Sequence, residues 1–378
     1  MIFTLEALRA KHGDSLLLHF GDAANPRLIV IDGGPSGVYK DALAPRLEEL
    51  RTSRGGTLPI EILMVSHLDS DHVRGVLDFS QAMSEDPAKA AGLPVATLWN
   101  NAFEDLAGAT APAEAPAGAP AEVASVHPAE VAAAIASVRE GQRLRDNARK
   151  LLWEENKGFD GFVMAADGDE PRVIDLEPLR FTIVGPRQAE LDALRKEWKK
   201  KLEELAGPVP TELVHVAEYV DKSIYNLSSI VCLVEAEGKR MLLTGDARGD
   251  NVLAGLESAG LLGPGEATIE LDLLKLPHHG SSRNVDVDFF RRLKAKHLVV
   301  SADGKYGNPD LQTLQYISEA RVDDEFTLHL TYEDFKEEVG PKILGFLAAE
   351  KASGRGYEVS YRPAADLSLR VDLLDPLA

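Results

Sequence analysis

The chain of 378 residues holds one cysteine, three tryptophans and only 6% aromatic residues. A single thiol excludes an internal disulfide and any thiolate cluster for zinc. Cys232 itself sits in the apolar run SSIVCLVEA, where a free cysteine acts as a small buried hydrophobe. Cations are also scarce: 41 Lys and Arg face 61 Asp and Glu, a formal net charge of −20. Broad docking on phosphate backbones or anionic lipid needs clustered cations, so this balance argues against an extended duplex DNA surface. No run approaches the roughly 20 apolar residues that span a bilayer. The N-terminus MIFTLEALRAKHGD has no basic segment leading into a long apolar stretch and cleavage site, so it does not read as a secretory signal. These absences lead us to expect a cytoplasmic protein without a membrane partner.

What is present is an ordinary globular composition, 44% hydrophobic and 27% charged. FTLEAL, DSLLLHF and RLIVID read as strands, KDALAPRLEELR as a helix, EILMVSH as a buried strand, and residues 71–83 as the next helix. Residues 106–138 turn to Ala and Pro, which neither propagate a helix nor bury a core, and read as a flexible loop. Residues 129–157 and 187–206 look helical and LRFTIVGP between them returns to strand, so 84–215 reads as an insertion of helices and a flexible loop over the core and a candidate protein-partner surface. Strands and helices then alternate again through SSIVCLVEA, RMLLTGDA, DNVLAGLESAG, LDLLKLP, VDFFRRLKA, HLVVSA and LQTLQYISEA, with terminal strands GYEVSYRP and SLRVDLL. The pattern predicts one α/β domain over residues 1–378, built from layered sheets.

The chemistry concentrates in Ser66-His67-Leu68-Asp69-Ser70-Asp71-His72, where an apolar strand gives way to a helix. Two imidazoles and two acids within six residues are costly in an apolar setting unless a cation compensates them. The plainer alternative is a solvated helix start capped by an acid, with incidental histidines. The other histidines weigh against it: of ten, four fall in two short clusters at strand ends, the second being Leu276-Pro277-His278-His279-Gly280. Adjacent side chains in extended chain point oppositely, so one of His278 and His279 is expected to bind metal and the other to lie near substrate or behind the ligands. Asp32 and Asp246 also end strands, each beside a glycine.

Asp32-Gly33-Gly34, HLDSDH, Asn226-Leu227-Ser228-Ser229, Leu243-Thr244-Gly245-Asp246 and LKLPHHGSS, in that order, resemble the metallo-β-lactamase-fold hydrolases. Gly13-Asp14-Ser15 before a strand and HxDxDH in place of HxHxDH resemble the hydrolase domain of ComEC-type DNA-uptake proteins. The resemblance covers residues 1–80 and about 210–310. It implies a four-layer αββα sandwich and two divalent ions, zinc foremost and manganese second. His67 and Asp69 would hold one ion, and Asp71, His72 and one of the late pair, taken as His278, the other, with Asp246 bridging. Asp32 would orient a ligand. Asn226 and Ser228 stand where a third-motif histidine is usual, and Asn308 replaces the histidine of a Tyr-Gly-His-Pro motif. Arg74 puts a cation at the pocket rim.

A metal pair activates water and neutralises charge on a phosphoryl or acyl oxygen. The carboxylate-rich motif and the ComEC-like resemblance imply phosphodiester hydrolysis of a small or short anionic substrate, as in a nuclease. Asp71 would orient the attacking hydroxide and His279 would serve the leaving group. Lys275 or Arg283 would hold a phosphate oxygen, Lys275 alternatively packing at the strand edge. Hydrolysis of a small ester, lactone or amide is the competing enzyme reading, and a metal-binding scaffold without catalysis is the competing non-enzyme reading.

Overall fold

The computed structural model describes residues 1–101, 140–168, 170–196, 226–336 and 338–377. Strands β1 (Ile2–Leu8), β2 (Leu16–Asp22), β3 (Asn25–Ile31), β4 (Ile62–Met64), β5 (Thr97–Trp99), β6 (Glu154–Glu155) and β15 (Ser368–Asp372) form one sheet, in the order β15-β1-β2-β3-β4-β5-β6. The second sheet takes β7 (Arg172–Leu176), β8 (Leu179–Gly185), β9 (Val231–Ala236), β10 (Lys239–Leu243), β11 (Ile269–Lys275), β12 (Leu293–Val300), β13 (Thr327–Leu330) and β14 (Glu358–Tyr361), in the order β14-β13-β12-β11-β10-β9-β8-β7.

The period of two along each strand explains the layering. Phe3, Leu5 and Ala7 of β1 and Leu16, Leu18 and Phe20 of β2 share a core with Cys232 and Val234 of β9 and Met241 and Leu243 of β10. That core lies between the sheets, and burial there pushes the Cys232 thiol up to about 12, as befits an inert side chain. The intervening residues face outward under helices. Leu17, Leu28 and Val30 pack with Leu47 and Leu50 of α1 (Ala44–Ser53) and Val73 and Val76 of α2 (Ser70–Glu85), which the short α3 (Pro87–Gly92) follows. On the far side Leu233, Leu242 and Leu298 pack under α4 (Gly249–Ser258), α5 (Val287–Arg292), α6 (Leu311–Ala320) and α7 (Val339–Ala352). The result is helix, sheet, sheet, helix: the αββα sandwich.

Within 84–215 the described residues hold both helical turns and strands. Helical turns occur at 140–150 and 188–196, but β5 and β6 complete one sheet and β7 and β8 the other. The strands of two and three residues are too short to show a period. The Ala/Pro-rich stretch 106–138 lies outside the described residues. Among the described residues, no helix is long and apolar enough to cross a membrane.

Strand direction brings the chemistry to one end. β3 and β4 are parallel, as are β10, β11 and β12. Their carboxyl ends lead into Asp32, His67, Asp246, the His278–His279 pair and Ser301. The antiparallel register Leu16↔Ile31 starts β2 beside the end of β3, which adds the loop carrying His12 and Asp14.

A buried ionic cluster lies apart from that end, where β1 and β2 meet α1. Glu6 is fully buried and takes His19 Nε2 at 2.8 Å, Arg46 Nε at 2.7 Å and the Ser368 hydroxyl. Burial alone would raise its carboxyl; His19 and the Arg46 guanidinium overcome this and hold it at about 2, against 4.5 in the free group. The unfolded chain therefore takes up the proton first, and the ionised pair contributes stability above the free value that is lost as pH falls toward the folded one. The shift corresponds to about 3 kcal/mol. Burial also lowers His19, so the unfolded chain gains its proton more readily and acid destabilises in the same sense. Glu6→Gln should be less stable at neutral pH and flatten the fall in thermal midpoint between about pH 5 and about pH 3; an unchanged slope would remove Glu6 from the acid response.

Candidate metal centre

Asp32 anchors the site from a left-handed backbone, φ 59°, immediately after β3. Its carboxylate accepts from the Ser66 N–H and hydroxyl, each at 2.7 Å, and lies 2.8 Å from His72 Nδ1. The loops of the two sheets are tied across this point. The Ile230 N–H donates to Ser66 O at 2.8 Å, and the Asp246 N–H to Ser229 Oγ at 3.2 Å.

Four imidazoles point into the space between the loops. His67 Nδ1 is 3.1 Å from Ser66 Oγ, His72 Nδ1 is bound to Asp32, His278 Nδ1 is 2.8 Å from Asn284 Oδ1, and His279 Nδ1 is 3.1 Å from Ser301 O. With Nδ1 committed in each ring, Nε2 is left to carry a proton or a metal. All four Nε2 atoms surround the Asp246 carboxylate, at 3.2 Å for His72, 3.6 Å for His279, 3.7 Å for His278 and 3.8 Å for His67. Asp71 reaches the same place, 3.6 Å from His279 Nε2.

The electrostatics ask for positive charge. Burial would drive the histidines down, but Asp246 and Asp32 hold His72 well above its ordinary value, and Asp246, Asp14 and Asp71 push His279 up to about 10. Asp71 and Asp246 stay well below the usual carboxylate range despite burial, through the same imidazoles. His67 is the exception: burial and the neighbouring His72 hold it at about 3. The buried His67 Nε2, Asp246 Oδ1 and Asp14 Oδ1 have no hydrogen-bond partner. Such orphans cost roughly 1–3 kcal/mol each, and a cation among mixed nitrogen and oxygen donors relieves them. Asp14, His72, Asp246 and His279 each offer a ligand atom within 4.8 Å of all the others. The residues thus fit a divalent metal.

Several sequence expectations change here. The late histidines do not diverge, because residues 278 and 279 are not extended: both are left-handed, at φ 48° and 56°, in a tight turn after Pro277. Both rings therefore reach Asp246. Lys275 does not face substrate. It is buried, 2.7 Å from Asp14 and bonded to Leu276 O, so the strand end faces the neighbouring loop. Arg74 is held by Asp78 and Glu140, each at 3.2 Å. Asp69 caps α2, accepting from the Ser70 N–H at 3.1 Å, and is not among the four clustered donors. Asn226 Nδ2 lies 3.4 Å from His278 Nδ1, and Asn308 Nδ2 donates to His278 O at 3.4 Å. The Ser228 carbonyl accepts from Asn101 at 3.3 Å, and Arg283 is exposed on the turn after the histidines. Asp14 was missed as a site residue; its only signal was its place between Gly13 and Ser15 before a strand.

The αββα sandwich thus carries, at its strand ends, a buried His/Asp cluster that could hold a metal ion. No protein-family model matches the chain, and neither does any curated protein. Among solved structures it is similar to the zinc-bound PqqB of Methylobacterium extorquens, at 12% identity over 95% of this chain and 87% of that one, with a TM-score of 0.39.

Proposed function

We propose that the protein is a cytoplasmic dinuclear metal-dependent phosphodiester hydrolase of the ComEC-like kind, acting on a small or short anionic substrate. The observation that carries this reading is the convergence of four committed imidazoles on one buried carboxylate, with Asp71 and Asp14 beside them. His67 and His278 would hold one ion, Asp71, His72, His279 and Asp14 the other, and Asp246 would serve both. Zinc suits the imidazoles and manganese the carboxylates. Bound metal would lower the pKa of water and neutralise phosphoryl charge. The chain's own groups supply orientation. Asp32, Asn284 and the Ser301 carbonyl fix the ring tautomers, and Lys275 balances the buried Asp14 behind His279. Arg283, on the exposed turn after the histidines, would meet an anionic oxygen of the substrate. The carboxylate wealth of the centre accounts for part of the net charge of −20 and is compatible with a phosphodiester once cations are present.

The test is turnover of bis(p-nitrophenyl) phosphate against p-nitrophenyl acetate, after chelation and after restoring zinc or manganese. Phosphodiester cleavage that disappears on chelation and returns with metal is expected. Metal-dependent cleavage of the ester alone would replace the reading with carboxylic ester hydrolysis, and no metal-dependent turnover of either would favour a scaffold.

A further inference from the structure

A groove of about 710 Å³ opens on the outer helical layer of the first sheet, bounded by the helical turn Tyr39–Leu43, α1, the second half of α2 and α3. No residue of the metal centre lines it. Its origin is local. α3 is six residues long, begins at Pro87 and buries none of its side chains, so it crosses the core without filling the space beneath. The positions beside that space are small: Ala44 on α1, Ala88 on α3, and Gly92, where a Cβ would stand 3.2 Å from Arg51 Cδ. Leu47, Phe79 and Leu93, all buried in the core, give the groove an apolar lining. Trp153 stacks behind Phe79, with 6.0 Å between ring centroids, and makes that wall firm.

Five charged residues line the same groove, and their pairing is unequal. Glu48 is spent on Arg51, accepting from it at 2.6 and 2.8 Å, and Arg51 also donates to Gly56 O at 2.7 Å. Asp86 is spent on capping α3, accepting from the Ala88 and Lys89 N–H groups at 3.0 and 3.1 Å. Lys40 and Lys89 remain, both exposed and neither in an ion pair among the described residues. Lys89 is outside ion-pair distance of Glu48, although its field adds to Arg51 in holding that carboxyl below its ordinary value. In a chain with 41 cations against 61 acids, this groove locally reverses the balance. An apolar concavity in the range of roughly 300–1,000 Å³ with a few polar groups at its edge is the form of a small-molecule site, and uncompensated ammonium groups select an anion.

We infer that the groove bounded by α1, α2 and α3 binds a small organic acid, its apolar body against Leu47, Phe79 and Leu93 and its carboxylate met by Lys40 and Lys89. The site is separate from the metal centre and stands whether or not the phosphodiester reading does. Octanoate, octanol and octylammonium share one chain and differ in the head group, so calorimetric titration of each into the zinc-loaded protein tests it. Octanoate should bind about 10-fold more tightly than octanol, and octylammonium more weakly than either. Lys40→Gln combined with Lys89→Gln should bring octanoate down to the affinity of octanol. Ala88→Trp, which fills the groove from an exposed position, should abolish binding of both. Zinc content should stay at the wild-type value in each variant, reporting an intact fold and centre. Chelation should leave octanoate affinity unchanged; a loss would place the acid on the metal and overturn the groove as its site. Equal affinity for acid and alcohol, octanoate binding that survives Ala88→Trp, or no octanoate binding at all would overturn it as well.

Discussion

Asp246→Ala is expected to lower metal affinity by more than about 100-fold, because even an outer partner of a metal ligand is worth roughly 10- to 100-fold. Asp246 is the carboxylate that lies within 3.8 Å of Nε2 on all four imidazoles, so its loss reaches every donor in the cluster at once. The phosphodiester turnover proposed above should fall with the metal, by about 1,000-fold or more if the carboxylate serves both ions. Asp32→Asn gives the graded comparison. It keeps the shape of the group that orients His72 but removes its charge, and should cost affinity within roughly that 10- to 100-fold outer range. Metal content after desalting and competition against a chromophoric chelator measure both variants. Asp246→Asn keeps the side-chain volume and separates loss of charge from loss of packing. Wild-type metal content in Asp246→Ala would remove the carboxylate from the centre and with it the proposed mechanism.

The sandwich was legible where strands are long and alternate cleanly. β1, β2, β9 and β10 each show the period of two that puts one row of side chains between the sheets and the next under helices. It was illegible where strands are too short to have a period, as in β5, β6 and the four-residue β13, and in α7, whose VGPKILGFLAAEKA carries Gly and Pro in its first turn. The HLDSDH cluster stood out because its charges are adjacent in sequence. Asp14 did not, because a lone acid before a strand has many uses, and its role depends on the register Leu16↔Ile31 and on Lys275 arriving from another sheet. The direction of His278 and His279 was misread for a related reason. It is set by two left-handed backbones, a conformation uncommon outside glycine that composition does not announce.

Gly75→Ala should destabilise the fold by about 3 kcal/mol, against the ordinary preference of a helix for alanine over glycine of about 1 kcal/mol. Gly75 lies within α2, and in an open helix the substitution would stabilise. Here a Cβ would stand 1.9 Å from Gly33 O and 2.5 Å from Gly33 C, and both atoms are backbone that cannot swing aside. The approach is latched from both directions: the Gly33 N–H donates to His72 O at 2.8 Å, and the Gly75 N–H to Gly34 O at 2.9 Å. The same latch sets Asp32 against His72. Relief of the clash must therefore move the start of α2, carrying Asp71 and His72, away from the Asp32 turn. Metal affinity should fall together with stability even though no ligand is altered. Gly345→Ala in α7 is the matched control. Its Cβ would meet nothing within 4 Å, so the helix preference should act alone and raise stability by about 0.5–1 kcal/mol without touching metal binding. Urea unfolding of the two variants, paired with zinc titration, decides the matter. If Gly75→Ala behaved like Gly345→Ala, the packing of α2 on the Asp32 turn would not be what holds the centre in place.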